Sequence, residues 1–254
     1  MIFDSHAHYD SHQFDDDRHE ILSDFLPQNK VVGVVNCASD FPSSEFSLQL
    51  AEQYDYIYAA VGVHPHEAEA SGEWDADRLK QLASHPKCVA IGEIGLDYHY
   101  DFSPRDLQKQ WFENQIVLAN EMGKPIVVHD REAHADTWEL LRTHKPAGVV
   151  HCFSGSVEMA RDILSLGMYI GLGGAVTFKN AKTPVEVARY VPLDRLLLET
   201  DCPYMTPVPF RGKRCDSSHI QITAQKIAEI KEISVDELLQ VTKQNAYRLF
   251  GMDQ

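Results

Sequence analysis

The sequence is without the features of a membrane-anchored or secreted protein. No apolar run in its 254 residues is long enough to cross a bilayer, and no basic stretch followed by an apolar one opens it. Its five cysteines form an odd set without close pairs, so no disulfide framework is expected. No linker, low-complexity tract or internal repeat divides the chain. We therefore expect a soluble, cytoplasmic protein with one domain over residues 1–254.

Positive charge is also scarce. Lysine and arginine number 23 against 38 acidic residues, which gives a formal net charge of −15 at pH 7. Proteins that track along duplex nucleic acid neutralise phosphates with a basic stripe, and none is visible in this sequence. The charge therefore disfavours stable binding along a duplex. It leaves open the capture of a strand end, a short oligonucleotide or a small ester.

Short apolar runs alternate with helical patterns along the whole chain. Most of these runs are continuously apolar, as expected for parallel strands that are covered on both faces. Eight strands are predicted, at residues 2–5, 31–37, 57–63, 88–94, 126–129, 148–152, 168–172 and 196–200. Helices between successive strands, together with this chain length, are typical of a single (β/α)8 TIM barrel.

Local signals mark several segment boundaries. Ser103 is expected to cap the helix that follows it, with Pro104 in the first turn, and Gly123 is expected to end that helix in a left-handed conformation. Ser234 and Glu237 predict a capping box at the start of the last helix. The irregular stretch at residues 202–217 follows the eighth strand and is a candidate substrate loop.

Six residues with metal-binding side chains lie at the downstream ends of predicted strands. A closed parallel barrel brings the C-terminal ends of its strands to one rim, so residues far apart in sequence converge there. The sequence therefore predicts a metal site at this rim. The candidate ligands are His6, His8, Glu93, His129, His151 and Asp201.

The first strand supplies two of these ligands. His6 and His8 are two positions apart, so both imidazoles project from one face of a strand and can bind one ion. Asp201 is expected to bind the same ion and to face the attacking water. Asp4 lies on the same face as His6 and could accept a proton from a ligand imidazole. The alternative for Asp4 is a buried hydrogen-bonding residue.

Glu93 is an isolated acid in an apolar strand and therefore needs a charged partner. Its two oxygens can bridge two ions, and His129 and His151 would then bind the second one. Two neighbouring divalent ions generate hydroxide at neutral pH, with Glu93 and Asp201 as the predicted catalytic residues. Mixed imidazole and carboxylate ligation favours zinc, with manganese, iron or nickel as alternatives. Magnesium is possible but tolerates fewer nitrogen ligands.

Three further residues are candidates for substrate contact. His64 follows the third strand and could contact either the substrate or the ligands themselves. Arg131 and Arg211 could each clamp a phosphate with two hydrogen bonds, and the alternative for both is a solvated surface cation. Cys152 and Cys202 directly follow a candidate ligand. They are expected to be packed thiols and not metal ligands.

At these residues the chain resembles the TatD family of metal-dependent deoxyribonucleases, within the amidohydrolase-type barrels, over essentially its whole length. The matching segments are 3–8 (FDSHAH), 62–66 (GVHPH), 91–97 (IGEIGLD), 127–131 (VVHDR), 151–155 (HCFSG), 198–203 (LETDCP), 211–214 (RGKR) and 245–250 (NAYRLF). The resemblance implies a site for two divalent metals with the ligand sets given above. It also implies hydrolysis of DNA phosphodiesters, often from a 3′ end. In one departure, Cys215, Asp216 and Ser217 stand where the family usually has Asn-Glu-Pro, which affects the substrate loop and not the ligands.

Three functional hypotheses follow. The first is a phosphodiesterase or deoxyribonuclease of the 3′–5′ exonuclease kind, acting on DNA ends or short oligonucleotides. In it a hydroxide between two ions attacks in line, and Asp201 orients it or takes its proton. The second is a dinuclear hydrolase of a lactone, amide or ester, because a fold does not dictate its substrate. The third is a non-catalytic protein with a structural zinc, although such sites are typically closed by four ligands.

Overall fold

The computed structural model describes residues 1–252, in which eight parallel strands follow one another in sequence order. The strands are β1 (Ile2–Ala7), β2 (Val31–Cys37), β3 (Ile57–Val61), β4 (Cys88–Asp97), β5 (Ile126–Arg131), β6 (Gly148–Val150), β7 (Tyr169–Leu172) and β8 (Leu196–Leu198). Each pairs with the next one along the chain. A parallel bridge between Ala7 and Cys202 joins the end of β1 to the segment after β8. The predicted (β/α)8 TIM barrel is confirmed.

Helices connect successive strands, and the last two helices follow β8. They are α1 (Arg18–Glu20), α2 (Leu26–Gln28), α3 (Phe41–Gln53), α4 (Ala76–Ala83), α5 (Arg105–Met122), α6 (His134–His144), α7 (Val157–Ser165), α8 (Lys182–Tyr190), α9 (Ile220–Lys231) and α10 (Val235–Phe250). A π turn, Ile21–Phe25, joins α1 to α2. Among the helices of residues 1–252, none combines the length and the apolar character needed to cross a membrane.

The strands bury apolar side chains on both faces, which explains their continuously apolar sequences. One face packs against the surrounding helices and contributes to the larger buried cluster. The other face fills the inside of the barrel, where every strand contributes at least one buried residue to a second cluster. Ala246 and Phe250 of α10 belong to this inner cluster, and the ring of Tyr247 packs edge-on against that of Phe3. The strand-end residues therefore sit above a filled core.

Several strand boundaries differ from the prediction. Three strands end early, β3 at Val61, β6 at Val150 and β8 at Leu198, whereas β4 continues to Asp97. The residues after β6 and β8 are not part of the regular strands but still hydrogen-bond to a neighbouring strand. The His151 amide donates to the carbonyl oxygen of Val128 in β5, and the Asp201 amide donates to the carbonyl oxygen of His6 in β1. Because β4 continues to Asp97, Glu93 lies within this strand and not at its end.

The helix-boundary predictions have mixed outcomes. The cap predicted at Ser103 is wrong, because α5 begins after Pro104 without a side-chain cap, and Ser103 Oγ instead donates to the carbonyl oxygen of His66 at 3.0 Å. Gly123 ends α5 with a φ of 65°, as predicted. At the start of α10, Ser234 Oγ accepts a hydrogen bond from the backbone amide of Glu237 at 3.1 Å. This bond is one half of the predicted capping box.

Candidate metal centre

Glu93 lies at the centre of the six predicted ligands. Its side chain is buried, and its two oxygens face different pairs of imidazoles. Oε2 is 3.3 Å from His6 Nε2 and 3.4 Å from His8 Nε2. Oε1 is 2.8 Å from His129 Nδ1 and 2.8 Å from His151 Nε2. The barrel thus brings together residues from strands β1, β4 and β5 and from the segment after β6.

Asp201 completes the group on the β1 side. Its Oδ1 atom lies 3.3 Å from His8 Nε2 and 3.7 Å from His6 Nε2. The backbone of Asp201 has a φ of 59°, a left-handed conformation that aspartate tolerates better than most residues. Its amide donates to the carbonyl oxygen of His6 at 3.0 Å, which holds the carboxylate beside the histidines.

Hydrogen bonds behind the ligands determine which nitrogen of two imidazoles faces the centre. His8 Nδ1 lies 2.7 Å from the carbonyl oxygen of Cys37, so Nδ1 carries the hydrogen of the neutral ring, and Nε2 is the atom that can offer a lone pair to a metal. His129 Nε2 lies 3.1 Å from Asp97 Oδ2, so Nε2 donates and Nδ1 presents the lone pair. A carbonyl or carboxylate behind the ring is the usual arrangement around metal-binding histidines.

The close approach of these nitrogens fits a bound cation. His6 Nε2 and His8 Nε2 are 3.0 Å apart, and His129 Nδ1 is 3.3 Å from His151 Nε2. The buried Nδ1 atoms of His6 and His151 have no hydrogen-bond partner among the described residues. Neutral imidazoles that point lone pairs at one another repel, and a positive charge between them, either a proton or a metal ion, removes that repulsion. Imidazole nitrogens with carboxylate oxygens are a donor set for zinc and similar divalent ions.

The ionisation of the site also favours a cation. Burial opposes the charge of Glu93, yet the neighbouring imidazoles, His151 above all, hold the pKa of this carboxyl well below its usual range. Burial likewise opposes the charge of Asp201, but its hydrogen bond with His8 lowers the pKa. Burial opposes the charge of His8, but the carboxylates raise its pKa to about 9, so without a metal this ring is protonated and a bound metal would take the place of the Nε2 proton. The centre therefore holds ionised carboxylates that attract positive charge.

His64 joins this group in a different protonation state. Its Nδ1 atom accepts a hydrogen bond from the backbone amide of His66 at 3.1 Å, so the hydrogen of the neutral ring is on Nε2. Nε2 lies 3.4 Å from Glu93 Oε1. Burial lowers the pKa of His64 to about 4, so the ring is neutral at pH 7. His64 is close enough to Glu93 and His129 to share an ion, but its tautomer makes it a hydrogen-bond donor.

Asp97 is a site residue that the sequence analysis did not select. Its Oδ2 atom accepts from His129 at 3.1 Å and from His66 Nε2 at 2.8 Å, and Oδ1 accepts from two backbone amides at 2.9 Å. Asp97 lies four positions after Glu93 on the same strand. This spacing was a usable signal, but the strand was predicted to end at Ile94.

Glu199 is the second residue that was not selected. It is fully buried just beyond β8, its Oε1 atom accepts from the amide of Cys152, and the same atom lies 3.6 Å from His151 Nδ1. An acid inside an apolar run was the signal that identified Glu93, and it applies equally to Glu199.

Of the two interpretations of Asp4, the structure supports the buried hydrogen-bonding residue and not the proton acceptor of a ligand imidazole. Its carboxylate accepts from the amide of His6 at 3.2 Å, the hydroxyl of Thr200 at 2.6 Å and the hydroxyl of Ser217 at 2.7 Å. Burial raises the pKa of Asp4 to about 7. Ser217, in the segment that departs from the family pattern, also lies 2.8 Å from the Tyr9 hydroxyl. Asp4 therefore ties β1 to the segment just before the candidate substrate loop and to the last residue of that loop.

A cleft of about 480 Å³ opens above the centre. Five of the six predicted ligands line it, as do His64 and Arg131, while His6 is completely buried. Arg211 is not among the lining residues, and its guanidinium lies 3.9 Å from the ring centroid of Phe178. All five cysteines are free thiols, and Cys202 is buried as expected.

The chain matches known proteins over nearly its whole length. The family profile described as "TatD related DNase" matches residues 3–251. The chain is 46% identical to "Uncharacterized metal-dependent hydrolase YabD" of Bacillus subtilis, with all of both chains covered. It is 37% identical to "3'-5' ssDNA/RNA exonuclease TatD" of Edwardsiella piscicida, over 87% of this chain and 88% of that protein.

A solved structure gives the same result for the fold. The crystal structure of YjjV, a TatD homologue from Escherichia coli K12, superposes with a TM-score of 0.93 at 32% identity and covers 99% of this chain and 98% of that one. The family expected from the sequence motifs is thereby confirmed. This protein belongs to the TatD family and is a metal-dependent hydrolase.

Proposed function

We propose that the protein is a phosphodiesterase that removes nucleotides from the end of a nucleic-acid strand, and that it holds two divalent ions. One observation carries this proposal: the two oxygens of Glu93 face two separate pairs of imidazoles, at 3.3 and 3.4 Å and at 2.8 Å. Ions in these positions, with zinc expected before manganese, iron, nickel or magnesium, would activate a water and offset negative charge on a phosphoryl group.

The residues around the ligands have distinct proposed roles. Asp201 is ionised and lines the cleft, so it can orient the attacking water and accept its proton. Glu93 is held between the two histidine pairs and fixes their spacing. His64 directs an Nε2 hydrogen at the centre and can donate it to a phosphoryl oxygen. Arg131 lines the cleft and can bind a second phosphoryl oxygen.

The size of the cleft supports a strand end as the substrate. Its volume of about 480 Å³ is that of a site for a small molecule, which suits a terminal nucleotide better than a duplex. Arg211 lies farther out over Phe178, where it would contact a phosphate of the strand beyond the cleft. The relative from Edwardsiella piscicida carries a name that specifies 3′–5′ action on single strands, which supports DNA ends or short oligonucleotides cleaved in that direction.

The test compares three substrates before and after metal removal. The purified protein is stripped with a chelator, reloaded with zinc, manganese or magnesium, and assayed on an aryl phosphodiester, an end-labelled single-stranded oligonucleotide and a panel of lactones. We expect phosphodiester cleavage that chelation abolishes and metal restores, with products shortened from the 3′ end. Cleavage of lactones alone would replace the proposal with carbon-ester hydrolysis. Inertness with one tightly bound ion would indicate a non-catalytic metal protein.

A matched pair of variants tests the role of Asp201. Asp201→Asn removes the proposed proton acceptor, so turnover should fall by about 100-fold or more. Asp10→Asn makes the same change at another side chain that lines the cleft and hydrogen-bonds to Asn36 and to none of the ligand histidines, so it controls for the substitution itself. Full turnover in Asp201→Asn would contradict the assigned role.

A further inference from the structure

Large aromatic side chains are exposed around the mouth of the cleft. Nine large apolar residues are exposed in the described part of the chain, and five of them lie in two rim segments, the one after β4 and the one after β8. The most exposed aromatic rings are Tyr100 at 48%, Phe102 at 62% and Tyr204 at 52%. Exposed apolar area clustered beside a site indicates a surface that a ligand covers.

Two of these rings form a stacked pair on the β4 side. The centroids of Tyr100 and Phe102 are 5.3 Å apart with 17° between the ring planes, and the guanidinium of Arg131 lies 4.9 Å from the Tyr100 centroid. We call Tyr100, Phe102 and Arg131 the rim platform. His66 contacts both rings edge-on, and the same imidazole bonds to Asp97. The platform is therefore anchored to the carboxylate that orients a candidate metal ligand.

Tyr204 stands on the other side of the mouth. Its amide donates to the carbonyl oxygen of Asp201 at 2.9 Å, and its ring centroid lies 6.5 Å from that of His8. Tyr204 follows β8, and Tyr100 follows β4. Strands four apart in an eight-stranded barrel lie on opposite sides, so the two aromatic groups flank the centre at Glu93.

Building on the proposed phosphodiesterase function, we propose that the rim platform and Tyr204 hold two unpaired nucleobases, one on each side of the scissile phosphate. Every base has a π face that stacks on tyrosine, phenylalanine or a guanidinium plane, largely independent of sequence. Bases within a duplex stack on one another and do not offer this face. Stacking would thus restrict the substrate to single-stranded ends of at least two nucleotides. It also lets an acidic protein bind nucleic acid without a basic stripe.

We call the rim platform and Tyr204, with a base stacked on each, the clamp. Double-mutant cycles that combine a protein substitution with a change in the substrate test it. The substrate is a single-stranded DNA hexamer, with versions that have an abasic nucleotide at the 3′-terminal or the penultimate position. Phe102→Leu and Tyr204→Leu remove one ring each, and Tyr204→Phe retains the ring. Tyr190→Leu is the matched control, because Tyr190 is 44% exposed at the end of α8, on the side of the barrel away from the rim.

Each leucine variant at the rim should raise KM for the intact hexamer by about 5- to 100-fold, the range expected when stacking on one ring is lost. Removal of the base that stacks on that ring should raise the KM of the unsubstituted protein by a similar factor. The leucine variant assayed on that abasic substrate should then have a KM little higher than with either change alone. Tyr204→Phe should behave as the unsubstituted protein, and Tyr190→Leu should have no effect.

The outcomes separate the clamp from the proposed function. If, for both rings, the fold-change in KM of the double change equals the product of the two single fold-changes, the ring and the base act independently. That result overturns the clamp, even when the hexamer is cleaved. If the hexamer is not cleaved, the same cycles are measured as dissociation constants by fluorescence anisotropy with the metal-loaded protein. Coupled losses of affinity without cleavage would support the clamp and reject the phosphodiesterase. Absence of binding would overturn both.

Discussion

His129 donates its Nε2 hydrogen to Asp97 Oδ2 across 3.1 Å, and this bond turns the opposite nitrogen of the ring toward Glu93 at 2.8 Å. The carboxylate that orients the imidazole is therefore outside the ligand set. Asp97 also accepts from His66, so one buried acid connects the candidate metal centre to the wall of the cleft.

Replacement of Asp97 by asparagine should weaken metal binding. The amide nitrogen of an asparagine can donate to His129 Nε2, which favours the tautomer with the hydrogen facing Glu93. Loss of such a supporting carboxylate typically lowers metal affinity by about 10- to 100-fold, and titration calorimetry with zinc would measure it. Glu132→Gln is the control. Glu132 also accepts a hydrogen bond from a histidine, the exposed His99 at 2.8 Å, but this pair is not part of the metal centre. Equal affinity in the two variants would refute the role of Asp97.

His64→Ala should reduce turnover without removing metal. The backbone amide of His66 places the hydrogen of His64 on Nε2, so the ring donates and does not coordinate. Loss of one donor to a developing oxyanion typically lowers kcat by about 100- to 1000-fold. Metal content by mass spectrometry and kcat on an aryl phosphodiester would be compared with His8→Ala, which should lose metal. A missing ion in His64→Ala would show that His64 is a ligand.

The ion pair of Asp216 and His219 should make stability depend on pH. The bond to Asp216 raises the pKa of His219, so its contribution to stability is present below about 6.5 and is lost as pH rises through the folded-state value. Burial opposes the ionisation of Asp216, but the bond with His219 lowers its pKa, so that contribution is present above about 4 and is lost in acid. Both contributions are therefore present between about pH 4 and 6.5.

Urea unfolding at two pH values would measure this effect. Asp216→Asn should lower the free energy of unfolding by about 1 kcal/mol at pH 5.5, and by less at pH 8.5. Asp101→Asn is the control, because Asp101 bonds to Arg105, which does not titrate in this range. The same loss at both pH values in Asp216→Asn would exclude a contribution from charged His219.

Gly95→Ala should disturb both the fold and the metal site. A Cβ atom at Gly95 would overlap the backbone carbonyl of His129, and φ at this position is +149°. Gly72 also has a positive φ, +79°, but open space around it, so Gly72→Ala gives the backbone cost without an overlap. We expect a loss of roughly 1 kcal/mol for Gly72→Ala and about 1–3 kcal/mol more for Gly95→Ala, measured by denaturant unfolding. Only Gly95→Ala should also lower zinc affinity.

The linear pattern of the chain was sufficient for the barrel and for the side chains that meet at its rim. Parallel strands covered on both faces are continuously apolar, and their C-terminal ends share one side of the sheet, so an acid such as Glu93 in an apolar run is conspicuous. The same pattern contains Glu199, an acid in an apolar run that the prediction did not include. It also contains Asp97, which lies beyond the predicted end of its strand at Ile94.

Contacts between residues far apart in the chain settled everything that depends on the direction of a hydrogen bond. His64 and His129 are both hydrogen-bonded with the hydrogen on Nε2, because His64 Nδ1 accepts from a backbone amide and His129 Nε2 donates to Asp97. They nevertheless present opposite atoms to Glu93, since His64 directs its protonated Nε2 there and His129 directs its Nδ1 lone pair. Arg131 lines the cleft while Arg211 lies over Phe178. Periodicity records which face of a strand is buried, but the partner atom on a neighbouring strand is chosen by register and packing.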